Sequence, residues 1–121
     1  MKQNYYVIDP KIRALVAVMI SNGFKTFASC EGHGFFTKTA PYVAFYADIN
    51  SAARLDRMLN NDSMLSQPVL RWLWQLTGGF DNASRLTWTL RPVNPFNKID
   101  RYRRASLYHD FLILADFIKN C

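Results

Sequence analysis

The stretch Arg85-Leu86-Thr87-Trp88-Thr89-Leu90-Arg91 alternates strictly between polar and apolar side chains. Leu86, Trp88 and Leu90 point one way, and Arg85, Thr87, Thr89 and Arg91 the other. This is a half-buried strand with a polar face. The elements on either side of it decide which fold it belongs to.

Toward the amino terminus, Gly78-Gly79 closes a segment in which Val69, Trp72, Leu73 and Leu76 form an apolar face at helical spacing. With Ser66 as a cap and Pro68 in the first turn, this reads as an extra helix before the last strand. On that stripe Trp72 is core. Trp74 falls off it, either exposed or packed under the last helix. Before this, Asp48, Asn50 or Ser51 can cap a helix whose buried stripe is Ala52, Leu55, Met58 and Leu59, ended by Asn60-Asn61-Asp62-Ser63.

Tyr42–Ala47 and Lys25–Ser29 read as strands, separated by a loop from Cys30 to Pro41. Ile12, Leu15, Val16, Met19 and Ile20 mark an amphipathic helix. Asp9-Pro10 opens that helix, and Asn22-Gly23 stops it. Tyr5–Ile8 is a short β-prone run. Beyond Arg91, Pro92 and Pro95 break the chain, and a long helix runs from about Ile99 to Lys119, with Leu107, Phe111, Leu114 and Ile118 on one stripe. The order predicts a single α+β domain over residues 1–121. It is ferredoxin-like (split βαβ), with the extra helix and a long C-terminal helix added. In that plan the first two strands are parallel, with the third between them.

The 121 residues are half hydrophobic and 15% aromatic, which excludes a disordered chain, a collagen-like rod and a coiled coil. No signal peptide or membrane span is visible, and Cys30 and Cys121 are too few for a disulfide scaffold. A reduced, cytoplasmic protein is expected, with no membrane association.

Glu31 is the only Glu in the chain, and it lies in Ser29-Cys30-Glu31-Gly32-His33-Gly34. A thiol, a carboxylate and an imidazole share one glycine-shaped turn. Three functional readings compete. Cys30-x-x-His33 is half of a metal site, but no second Cys/His pair has matching spacing, so no metal and no cofactor is expected. Cys30 can serve as a nucleophile with Glu31 or His33 as base. The turn can also present Glu31 and His33 to a partner. The plain structural reading is a small buried Cys30 in a turn held by hydrogen bonds from Glu31 and His33. By the topology above, the start of the first helix and Lys11 lie at the same sheet edge, an arrangement that favours a Cys30 thiolate.

Thr26-Phe27-Ala28-Ser29-Cys30-Glu31-Gly32-His33, followed by Pro41-Tyr42-Val43-Ala44-Phe45, resembles small proteins of phages, plasmids and other mobile elements. These carry Ser-Cys-Glu-Gly-His after a short helix, then a Pro-Tyr-(Val/Ile)-x-Phe strand. Asn22-Gly23-Phe24 and Lys25-Thr26 match the lead-in, so the likeness covers roughly residues 10–60. It implies a mobile-element origin and no particular activity. The Ser-Cys-x-Gly turn is also similar, more faintly, to that of the wybutosine-synthesis methyltransferases, which modify a tRNA base with S-adenosylmethionine. That family follows the Gly with Arg, where this chain has His33, and the activity is not carried over.

Residues 85–104 hold Arg85, Arg91, Lys98, Arg101, Arg103 and Arg104 against Asp100 alone, five of the six net positive charges. Tyr102 and Tyr108 are interleaved. Arg beside aromatic side chains suits phosphate contact and base stacking. Cations at the start of a helix oppose its dipole, and a bound anion would relieve that conflict. The expected function is a mobile-element accessory protein that binds nucleic acid or a ribonucleoprotein through Arg85, Arg91, Lys98, Arg101, Tyr102, Arg103 and Arg104. An inhibitor of a host defence system, of the anti-CRISPR kind, is one concrete form, resting on the implied origin. An acidic protein surface would use the same residues. The alternative is a small enzyme with Cys30, Glu31 and His33 at its site, acting on a phosphate-bearing substrate.

Overall fold

A computed structural model of the protein describes residues 9–32 and 40–120. The chain runs α1 (Arg13–Ser21), β1 (Lys25–Cys30), β2 (Tyr42–Tyr46), α2 (Ile49–Ser63), β3 (Trp72–Phe80), β4 (Leu86–Pro95), a 3-10 turn (Lys98–Tyr102) and α3 (Arg104–Lys119). The four strands form one antiparallel sheet in the order β1-β2-β4-β3. The described residues form an α+β architecture with three α-helices, the last one long.

Several elements follow directly from local chemistry. Ile12, Leu15, Val16 and Met19 are buried along α1 and the turn before it. Gly23 ends that helix at φ +90°, a conformation that suits glycine, and the Phe24 N–H returns to the Met19 carbonyl at 2.9 Å. Asp48 caps α2 by accepting from the Ser51 N–H at 2.9 Å. Ala52, Leu55 and Leu59 of α2 are buried. One core joins Ile12, Leu15, Val16, Met19, Leu55 and Leu59 to Val43, Phe45, Leu90, Trp72 and Trp74 on one sheet face, and to Leu107, Phe111, Leu114 and Ile118 of α3.

No helix forms over 66–79, where one was expected: residues 66–71 are irregular, and strand β3 begins at Trp72. The apolar residues fit both periods: Val69, Trp72, Leu73 and Leu76 repeat as a helix, while Trp72, Trp74 and Leu76 repeat as a strand. Pairing with β4 decides it, running from Trp72↔Pro95 to Phe80↔Leu86. Both tryptophans are consequently buried, and Trp74 meets Phe111 edge-on with centroids 6.1 Å apart. Gly78, expected as a helix stop, lies mid-strand under the Trp88 ring, where a Cβ would come within 3.3 Å of the indole.

Two further expectations are corrected. Pro92 and Pro95 do not break β4, because a register shift between Leu73 and Trp74 accommodates the strand beside Pro92. The last helix is not continuous from Ile99. Arg103 is extended (φ −122°, ψ 104°) and separates the 3-10 turn from α3. The Ser106 hydroxyl holds this junction, 2.6 Å from the Arg103 carbonyl and 3.1 Å from that of Asp100, and accepts from Trp72 Nε1 at 2.8 Å.

A ferredoxin-like order is not confirmed. That plan puts Tyr5–Ile8, which lies outside the described residues, between strands that here pair directly, with Val43↔Leu90 and Phe45↔Trp88. No described helix is long and apolar enough to cross a membrane.

Candidate functional site

Helices cover one face of the sheet, and strand alternation assigns the other face its residues. The register builds three rows across it. Ala28, Ala44, Thr89 and Thr77 form the middle row. One row outward, Cys30 pairs with Tyr42, and Arg91 with Gln75. Continuing the β2–β4 register by one residue sets Tyr42 opposite Arg91. On the other side, Lys25 pairs with Tyr46 and Thr87 with Gly79. A floor of small side chains therefore lies between two tyrosines, four residues apart on β2, or about 13–14 Å along an extended strand.

Each tyrosine has an arginine nearby, and the two pairs differ electrostatically. Arg85 stacks over Tyr46, its guanidinium carbon 4.8 Å from the ring centroid. Its charge is already matched by Asp81, which accepts from Arg85 Nε at 2.8 Å, the Arg85 N–H at 2.9 Å, the Ala83 N–H at 2.9 Å and the Tyr46 hydroxyl at 2.8 Å. Arg91 and Lys25 are exposed and make no ion pair among the described residues. The sequence-predicted polar face of the strand at 85–91 thus becomes the centre of this surface. Tyr42, Tyr46 and Lys25 join it only through pairing. Phe27 extends the aromatic area, its ring 4.7 Å from that of Tyr46.

Donation from the Arg85 N–H and the Tyr46 hydroxyl, with lesser contacts, holds the Asp81 carboxyl down at about 2, and Asp81 in turn pushes the Tyr46 phenol up. A depressed carboxyl favours folding above its unfolded value near 3.8. That advantage disappears as pH falls through about 2. Between pH 4 and 2 the urea midpoint of the wild type is therefore expected to fall more steeply than that of Asp81→Asn. Parallel curves would contradict this role.

The remaining cations of the basic segment do not form one patch. Lys98, Arg101, Tyr102 and Arg103 are exposed on or beside the 3-10 turn. Arg101 reaches Asn94 at 3.4 Å and lines a cleft of about 130 Å³ with Pro41, Pro92 and Val93. Arg104 turns away to the Cys30 region, where its Nη2 donates to the Glu31 carbonyl at 2.8 Å and its Nε to the Tyr108 hydroxyl at 3.2 Å. The cation at the start of α3 is thus directed onto an oxygen of the protein itself.

The Cys30 turn is tied down by reciprocal bonds. Glu31 Oε1 accepts from the Lys11 N–H at 2.9 Å, and the Glu31 N–H donates to Asp9 Oδ2 at 2.9 Å. Gly32, at φ +86°, donates its N–H to Cys30 Sγ at 3.3 Å. The position before α1 that would favour a Cys30 thiolate is therefore occupied by the Glu31 carboxylate. Lys11 Nζ lies instead over the Tyr108 ring, 5.3 Å from its centroid. Cys30 is half-buried, and His33 lies outside the described residues. No cluster of three His, Cys, Asp or Glu side chains suited to a metal occurs among the described residues.

Sequence reasoning missed the most buried polar side chain among the described residues. Asp110 of α3 is fully buried, and its carboxylate accepts from the Arg71 N–H at 2.8 Å, the Trp72 N–H at 2.9 Å and Trp74 Nε1 at 2.8 Å. His109 Nδ1 lies 3.0 Å from Oδ1. Burial pushes this carboxyl above the usual range, while the donors oppose the shift. Its contacts are with the start of the outer strand β3, so it is a clamp within the fold. Only the unusual placement of Asp between His109 and Phe111 on an apolar stripe could have signalled it.

Comparison with family models, with curated proteins and with solved structures found no match to the chain.

Proposed function

We propose that this protein binds nucleic acid, free or as part of a ribonucleoprotein, through the open face of its sheet. The observation that carries this reading is the row in which Arg91, which makes no ion pair among the described residues, stands opposite Tyr42 beside a floor of Ala28, Ala44, Thr77 and Thr89. Arginine supplies a permanent cation for phosphate, and the ring supplies a stacking surface. Lys25 adds a second cation at the far row. Lys98, Arg101 and Arg103 extend the positive field beyond the end of β4.

The concrete biological form we propose is an inhibitor of a host defence ribonucleoprotein, on the strength of the resemblance to mobile-element proteins. The turn at Cys30 supports a structural role in this reading, since its carboxylate and backbone are spent on tying β1 to the start of α1.

An amide-resolved NMR titration with a short single-stranded oligonucleotide at low salt tests where binding occurs. Shifts are expected at Tyr42, Ala44, Tyr46, Thr89 and Arg91, with little change at α2. Shifts confined to the helices would overturn the proposed face.

A further inference from the structure

We infer that the open sheet face takes unpaired bases: its ligand is a single strand, with Tyr42 as the stacking platform. This deepens the nucleic-acid reading above and rests on it. The rows argue for it. Tyr42 is half-buried and stands opposite Arg91, which makes no ion pair among the described residues, and the adjoining row carries nothing larger than threonine. The Tyr42 ring is the platform, and Arg91 holds the phosphate beside it. Tyr46 is not a platform, because Arg85 lies across its ring and the Phe27 ring packs 4.7 Å from it.

A duplex does not satisfy this surface. Its bases are already stacked on one another, so the Tyr42 ring gains no partner, and a four-stranded face does not enter a groove as a helix or two-stranded ribbon does. Charge points the same way. Among the described residues, the cations of the face that make no ion pair are Arg91 and Lys25, whereas Arg85 is neutralised by Asp81. Stacking therefore has to contribute a large share of the affinity, which only a single strand allows.

The test compares a labelled ten-nucleotide oligo(dT) and oligo(U) with a ten-base-pair duplex, by anisotropy at low ionic strength. Tyr42→Leu and Tyr42→Phe are measured beside the wild type, with circular dichroism checking that each is folded. The single strands are expected to bind at least tenfold more tightly than the duplex. Tyr42→Leu should weaken single-strand binding by about tenfold or more, and Tyr42→Phe should keep most of it, because the ring and not the hydroxyl makes the platform. Equal affinity for single strand and duplex, or an undiminished affinity in folded Tyr42→Leu, overturns this inference while leaving nucleic-acid binding in place. Binding to none of the three probes overturns both.

Discussion

Asp110→Ala is expected to destabilise the protein by about 3–5 kcal/mol, because three N–H donors lose their shared acceptor at once. The reason lies in what the carboxylate leaves behind. The Arg71 and Trp72 N–H groups and the Trp74 indole N–H all point at it, and all lose their acceptor together. An unsatisfied buried donor costs about 1–3 kcal/mol. The N–H groups belong to the start of the outer strand β3, whose edge has no other strand to pair with in the described sheet. The loss should therefore loosen β3 from α3 and with it the burial of both tryptophans. Asp110→Asn should cost less, since one oxygen still accepts, but its amide group faces donors. Urea denaturation followed by tryptophan fluorescence measures both. A loss under about 1 kcal/mol for Asp110→Ala would mean that water satisfies those donors instead.

Reversing the cations of the sheet face, with Arg91→Glu and Lys25→Glu together, should weaken nucleic-acid binding by on the order of tenfold per site and flatten its dependence on salt. Both residues are exposed and make no ion pair among the described residues, so the fold should be untouched. Arg85→Glu is a different experiment, because it also breaks the Asp81 contacts that shape the β3–β4 turn. A matched reversal of Arg54 and Arg57 on α2 serves as the control. Both are exposed on a helix, away from the open face, and reversing them should leave binding nearly unchanged.

Much of the fold is legible in local chemistry. Gly23 stops α1, Asp48 caps α2, and the alternation at 85–91 identifies β4 and its polar face. The segment around Trp72 is not legible in the same way. Its apolar residues satisfy two periodicities at once, and the choice between them is made by a partner strand and by Asp110, 38 residues from Trp72. The site divides similarly. Glu31 stands out in the sequence as a unique residue, but its partners show that its distinction is structural. The basic segment reads as one cluster along the chain, yet alternation sends Arg91 to the sheet, the 3-10 turn carries Arg101, and Arg104 folds back onto Glu31. Tyr42 could not be joined to Arg91 before the β2–β4 register was known.

The central claim, that the open face of the sheet is a nucleic-acid surface, is tested most directly by titrating single-stranded oligonucleotide across a salt series with the wild type and the Arg91→Glu/Lys25→Glu protein. The wild-type log affinity should fall linearly with log salt, and the doubly reversed protein should bind more weakly with a slope smaller by about one to two. Coincident lines for the two proteins, or no binding by the wild type at low salt, would contradict it.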